Sequence, residues 1–303
     1  MPWAWRTAPA LLVVALGACV VQGEVRPRDP VPSRAPVAAP SVVPSSEPTG
    51  EAEPESRPEL HVEEADAPAP LAAPPTLAFV APKQGESIAP ARADAYLVRI
   101  ETRGWFDKPG DHVHLVLDGR PYKAIEAPEA SLRLGDVVPS EPLAPGEHVL
   151  CAYAAGADHV GARPSRPPSV RGGASAKGPL AMVSFWIGKP GRSRIGAAEP
   201  VLVYGRPKGT YNGAAADSVV LDFYLANVEL GAGKHAVVAT LAPEAGSPVT
   251  TRIDRWAPVS LAGLPEGTTR VTLQIVDATG NAVAGPFARG EGELNVNRAA
   301  RAP

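Results

Sequence analysis

His112-Val113-His114-Leu115-Val116-Leu117-Asp118-Gly119 (HVHLVLDG) decides how this chain folds. Val113, Leu115 and Leu117 share one parity, while His112, His114 and Val116 share the other. A period of two belongs to a β-strand, whose successive side chains project to opposite faces. Asp118-Gly119 follows with residues that tolerate the positive φ of a tight hairpin turn. The stretch therefore predicts a half-buried strand with its apolar parity inward and its two histidines on the polar face.

Segments on either side repeat the scheme. Tyr96, Val98 and Ile100 alternate with Leu97, Arg99 and Glu101, and Val149, Cys151 and Tyr153 form another apolar parity. Pro145-Gly146, Glu266-Gly267 and Gly280-Asn281 supply further turns. After the amino-terminal region no apolar stripe of helical period extends over about 11 residues. Short alternating segments with such punctuation predict an all-β chain.

The pattern occurs twice. Pro82-Lys83 recurs as Pro207-Lys208, and Leu143-Ala144-Pro145-Gly146 with Val149–Tyr153 recurs as Leu264-Pro265-Glu266-Gly267 with Val271–Ile275. Each copy has the length of a β-sandwich. The reading is two tandem antiparallel sandwiches at residues 77–190 and 197–297, separated by the polar, glycine-rich stretch 189–199, with a disordered tail at 298–303. Leu264–Asn281 is similar to the penultimate strand and hairpin of bacterial immunoglobulin-like (Ig-like) domains, which implies an Ig-like or fibronectin-type fold. The strand 112–119, with Gly146-Glu147-His148-Val149-Leu150 and Asp158-His159-Val160, resembles a family of exported bacterial Ig-like domains of unknown function. It departs from that family in the residues flanking its histidines, Asp111 and Val113, and lacks the His-containing middle segment.

The amino terminus is of a different kind. One positive charge at Arg6 precedes an apolar run, Ala8 to Leu16, that suits a signal-peptide core and is too short to span a bilayer. The run ends in Leu16-Gly17-Ala18-Cys19, which resembles the lipobox of bacterial lipoproteins. The resemblance implies cleavage after Ala18, acylation of Cys19 with palmitate-type chains, and a mature protein held on the membrane by that lipid anchor. Val20 stands where an aspartate would resemble an inner-membrane retention signal, so the implied address is the outer membrane, facing the periplasm or the surface.

Residues 24–76 hold 13 prolines, ten acidic and four basic residues, and no aromatic side chain. Such a composition cannot bury enough apolar surface to offset the entropy of ordering, so residues 19–76 are read as the lipidated cysteine and a disordered Pro/Ala/Glu-rich spacer. The whole chain carries a net charge of −3, which excludes a strongly basic nucleic-acid binder. Two cysteines exclude a disulfide scaffold and a four-thiolate zinc site.

Candidate chemistry is sparse. The sequence holds no Gly-x-Ser-x-Gly, His-Glu-x-x-His or phosphate-binding Gly-Lys-Ser/Thr loop. His112 and His114, two apart on a strand, reach the same side, and an antiparallel partner at 147–154 brings the following loop, with Asp158 and His159, toward them. Neutral imidazoles with a carboxylate suit zinc, copper or nickel. Against this stands the simpler reading, histidines on a solvated strand face. Cys151 reads as a small buried hydrophobe. Trp105, Phe106, Phe185, Trp186 and Trp256 read as packing anchors, and Asp277 with Asn281 as a turn. The sequence thus predicts a non-enzymatic, lipid-anchored envelope protein with no cofactor, no catalytic residue and no nucleic-acid partner, which contacts another envelope protein or a polysaccharide. The alternative is a metal-binding or metal-dependent domain built on His112, His114, His159 and Asp158.

Overall fold

The structure, a computed structural model, describes residues 59–66, 68–138, 142–170, 178–196 and 198–299. Leu16, Gly17, Ala18, Cys19 and most of the expected spacer lie outside the described residues. Among the described residues no helix is long and apolar enough to cross a membrane.

Among the described residues seventeen strands run in chain order: β1 (His61–Glu64), β2 (Thr76–Ala81), β3 (Ser87–Ile88), β4 (Leu97–Arg103), β5 (His112–Leu117), β6 (Lys123–Ile125), β7 (Glu129–Arg133), β8 (Gly146–Ala155) and β9 (Leu180–Ile187), then β10 (Val201–Arg206), β11 (Gly209–Asn212), β12 (Val219–Ala226), β13 (Ala236–Pro243), β14 (Val249–Ile253), β15 (Val259–Ala262), β16 (Gly267–Val276) and β17 (Arg289–Asn297). In the first sandwich, sheet β2-β4-β7 faces sheet β3-β9-β8-β5-β6. In the second, sheet β1-β15-β12-β10 faces sheet β11-β17-β16-β13-β14. With β1 set aside, the two have the same strand order. In each, the opening strand carries a bulge and its continuation pairs in parallel with the last strand of the opposite sheet. This is the Ig-like arrangement of two antiparallel sheets.

Parity builds each core. Val113, Leu115 and Leu117 of β5 pack with Leu150 and Ala152 of β8 and Ala181, Val183 and Phe185 of β9 inside the first sandwich. Leu221, Phe223 and Leu225 of β12 pack with Val237, Ala239 and Leu241 of β13 and Leu273 of β16 inside the second. At Gly292 the Tyr204 ring lies so close that an added Cβ would stand 2.2 Å from Cε1, so only a glycine fits beneath it.

The opposite parities hold the finding that the strand pattern did not predict. Val116, Val149, Cys151, Tyr153, Leu180 and Met182, on the outer face of the first sandwich, pack against Val201, Val203, Tyr224, Ala226 and Phe287 of the second. The central strands of this sheet are therefore buried on both faces, every residue of β5 included. Tyr153 and Tyr224 meet with ring centroids 4.8 Å apart, and Tyr224 meets Trp256 edge-to-face at 5.1 Å. At Gly205 an added Cβ would stand 2.7 Å from the Tyr153 hydroxyl, so the glycine lets the two sandwiches approach.

Polar groups secure the same junction. Asp222 of β12 is fully buried, accepts the Gly161 amide at 2.7 Å and pairs with Arg163. The side chain of Asn227 brackets Val170, accepting its amide at 2.7 Å and donating to its carbonyl at 2.6 Å. The polar stretch expected to separate the domains is held down as well: Glu147 accepts the Arg194 amide at 2.7 Å and the Ser193 hydroxyl at 2.5 Å.

Two expected boundaries move. His61–Glu64, inside the stretch read as disordered spacer, forms β1 and pairs antiparallel with β15, His61 opposite Ala262 and Glu64 opposite Val259. The strand fits there because β15 would otherwise leave an unpaired backbone edge, which an extended segment satisfies whatever its side chains. Arg298, at the start of the expected tail, takes its amide to Glu266 at 3.1 Å and its guanidinium to Asp217 and the Leu264 carbonyl.

Candidate functional site

The reach of the two histidines follows from register. β5 runs antiparallel to β8 with His112 opposite Ala155 and His114 opposite Tyr153, so the loop leaving β8 returns over the start of β5. His159 sits in that loop at φ 58°, a left-handed conformation that turns its ring back toward the strand. Three imidazoles meet there. His112 Nε2 lies 2.9 Å from His114 Nε2 and 2.9 Å from His159 Nδ1. One ring nitrogen from each falls within 4.8 Å of the others.

The expectation of histidines on a solvated face is corrected here. His114 is wholly buried and His112 nearly so, because their face is the one the second sandwich covers, while His159 stays exposed at the rim. Asp158 does not join the group: its Oδ1 accepts the Val160 amide at 3.0 Å, which shapes its own loop. His148 lies at the far end of β8, bonded to Asp118 and the Ala144 carbonyl.

Two tyrosines complete the cluster, and periodicity gave no reason to seek either. Tyr153 Oη lies 3.1 Å from His114 Nδ1, and Tyr122 Oη lies 3.1 Å from His159 Nδ1. The Tyr122 ring stacks on His114 with centroids 3.5 Å apart. Two cations arrive from the second sandwich. Lys208 places Nζ 3.3 Å from the Tyr122 ring centre and donates to the Tyr122 carbonyl at 2.8 Å, and Arg206 donates to the Asp158 carbonyl. No local pattern in the first domain could have shown these residues, because the distant bulged strand β10 delivers them.

Burial, with His112 and His159 beside it, holds the His114 imidazole well below its ordinary range. Burial lowers His159 too, reinforced by His112 and by the positive charges of Arg206 and Lys208. Both rings are therefore neutral near pH 7, the form that offers a lone pair. Burial also pushes the Cys151 thiol up to about 12, so it packs and does not react.

The remaining candidates are structural. Trp105 donates its indole N–H to the carbonyls of His112 and Ala155 at 3.2 and 3.3 Å, and Phe185 is buried in the first core. Asp277 Oδ1 accepts the amides of Thr279 and Asn281 at 2.8 and 3.0 Å, closing its hairpin.

The Asp118–His148 pair gives a pH-dependent prediction. Both His148 nitrogens face acceptor-only oxygens, Asp118 Oδ2 and the Ala144 carbonyl, each at 2.7 Å. Burial alone would lower its pKa, but the bonds to Asp118 and Ala144 outweigh burial and raise it. A raised folded value means that the pair's contribution is complete below about pH 6.5 and is lost as pH rises through the folded value. Asp118→Asn keeps the positive-φ preference and the acceptor for the Val149 amide. It is expected to cost about 1 kcal/mol near pH 5.5 and progressively less in alkali. Urea unfolding across that range checks this, and a difference that does not vary with pH counts against the ion pair.

No protein-family model matches the chain, and no curated protein is similar to it. Among solved structures, the fibronectin(III)-like modules of Clostridium thermocellum CbhA align over 75% of this chain and 97% of their own at 12% identity, with a TM-score of 0.25. A two-domain fibronectin type III segment of chicken tenascin aligns over 78% of this chain and 99% of its own at 11% identity, TM-score 0.22. The D0–D1 domain of intimin aligns over 74% and 99% at 12% identity, TM-score 0.24. The class of the protein rests on its own sheets, whose strand order defines two tandem Ig-like β-sandwiches.

Proposed function

We propose that this chain is a lipid-anchored, non-enzymatic protein of the bacterial cell envelope, a stalk or adaptor that presents two fused Ig-like modules to another envelope protein or a polysaccharide. The observation that carries the reading is the junction. Val203, Tyr224, Tyr153 and Met182 form an apolar core between the sandwiches, and a buried Arg163–Asp222 pair crosses it. A freely jointed string of modules has no use for such a core, whereas a rigid spacer needs it. The anchor is supported by Leu16-Gly17-Ala18-Cys19 and the apolar run before it. Since β1 pairs with β15, the chain reaches the folded part at the edge of the second sandwich, and the tether joins there.

The test is Cys19→Ala. In a bacterial host the wild-type chain is expected in the outer-membrane fraction with labelled palmitate incorporated, and the variant in the soluble fraction without label. A variant that stays with the membrane and takes up label overturns the anchor.

A further inference from the structure

We infer that His112, His114 and His159 form a mononuclear site for a late first-row divalent cation of the zinc, nickel or copper kind, set at the junction of the two sandwiches with Tyr122 Oη beside it. The inference does not depend on the anchor or on the envelope address.

His112 Nδ1 lies 2.8 Å from the Gly110 carbonyl, which can only accept, so that nitrogen carries a proton and, in the singly protonated ring, Nε2 presents its lone pair. That single lone pair faces two ring nitrogens at 2.9 Å, His114 Nε2 and His159 Nδ1. An sp² nitrogen accepts one well-aligned bond, so donation by His114 leaves His159 poorly placed, and the reverse. The phenol hydroxyls can turn their protons outward from Tyr153 to His114 Nδ1 and from Tyr122 to His159 Nδ1. Neither removes the conflict at His112 Nε2. A cation at the shared point does: a proton on His112 Nε2 makes one well-aligned bond at a time, whereas a metal ion receives a lone pair from all three nitrogens.

The surroundings fit a bound ion. The His112 Nδ1–H bond to the Gly110 carbonyl fixes ring and tautomer, as the outer partners of metal-bound histidines do, and with Nε2 on the ion His114 donates its Nδ1–H to Tyr153 Oη in the same way. Zinc–nitrogen bonds of about 2.0–2.1 Å place tetrahedral ligand nitrogens roughly 3.3 Å apart, so the two 2.9 Å contacts open by about 0.4 Å and the widest separation, up to 4.8 Å, closes by about 1.5 Å to hold the ion. His159, exposed on its loop, is the ligand that can move. An all-nitrogen donor set prefers zinc, nickel and copper over magnesium or calcium, which take oxygen. Lys208 and Arg206 oppose a bare dication but suit an anionic fourth ligand, whether hydroxide or the phenolate of Tyr122.

The experiment uses the full chain, stripped with a chelator, exposed to Zn²⁺ and dialysed. About one zinc per chain is expected by elemental mass spectrometry. His159→Asn suits the left-handed backbone and removes only the exposed ligand, so it is expected to fold with an unchanged circular dichroism spectrum while its zinc affinity falls at least tenfold in competition with a chromogenic chelator. His112→Gln is expected to lose binding as well. His61→Asn, which removes the exposed imidazole beside Glu63, is expected to change nothing. Cobalt(II) replacing zinc is expected to give the intense visible bands of a tetrahedral site in the wild type and not in His159→Asn. Less than a tenth of an equivalent of zinc on the wild-type chain overturns the site, as does wild-type affinity in a folded His159→Asn.

Discussion

Asp222→Ala is expected to cost about 3–5 kcal/mol of folding stability, read as a lower urea midpoint. Asp222 is fully buried, and one carboxylate meets the guanidinium of Arg163 and the amide of Gly161. Alanine leaves that cation in a low-dielectric junction with only the Trp256 ring, 5.5 Å away, and a 3.3 Å bond from Nε to the Gly161 carbonyl to answer it. Among the described residues Arg163 Nη1 already has no hydrogen-bond partner, so none of them offers a spare acceptor to take up the loss. The Gly161 amide loses its acceptor as well, at a point walled by the Tyr153 and Tyr224 rings. Replacing both partners, Asp222→Ala with Arg163→Met, is expected to recover much of the loss, since no unpaired charge then remains buried. A single Asp222→Ala variant within 1 kcal/mol of the wild type would show the pair to be unimportant.

That pair also marks where the sequence could be read and where it could not. Alternation at β4, β5 and β8 is a local property imposed by the pleat, and it carried the class of fold and the two copies, although in β8 the singled-out parity, Val149, Cys151 and Tyr153, faces the junction while Leu150 and Ala152 line the core. Register could be reasoned too, since an antiparallel β5–β8 pair must bring the loop with His159 over His112. What alternation does not report is what covers the second face. His112 and His114 were read as solvated because they are polar, yet their face also holds Val116, and the neighbouring strands offer Val149, Cys151, Tyr153, Leu180 and Met182. The run Leu180–Ile187 (LAMVSFWI) is apolar on both parities, and that marks a strand buried on both sides. It was the available signal for the junction. Lys208, Arg206 and Asp222 had no such signal, because their partners lie in the other domain. β1 was hidden for another reason: a sheet edge recruits backbone, so His61–Glu64 needs no alternating apolar residues to pair with β15.

Tyr224→Ala should divide the molecule into two independently melting parts. Tyr224 belongs to neither sandwich core; its ring lies between Tyr153 of one domain and Trp256 of the other, fully buried. Removing a buried aromatic ring costs about 3–5 kcal/mol, since the lost transfer energy is compounded by a cavity that β-sheets on both sides cannot collapse to fill. Here the loss falls on the contact between domains. Leu115 and Phe185 on one side, and Phe223 and Leu273 on the other, keep their own neighbours. The wild type is expected to melt in one calorimetric transition and the variant in two, with the summed enthalpy reduced. Tyr224→Phe separates packing from hydrogen bonding. It keeps the ring and loses only a 3.3 Å bond to the Ala162 carbonyl, so it should cost about 1 kcal/mol or less and leave the single transition intact. One transition in Tyr224→Ala at nearly the wild-type temperature would mean that the other junction contacts, Val203, Met182 and Phe287 with the ties of Asp222 to Arg163 and Asn227 to Val170, hold the sandwiches together without that ring. The rigid spacer would then rest on the junction as a whole and not on one aromatic anchor.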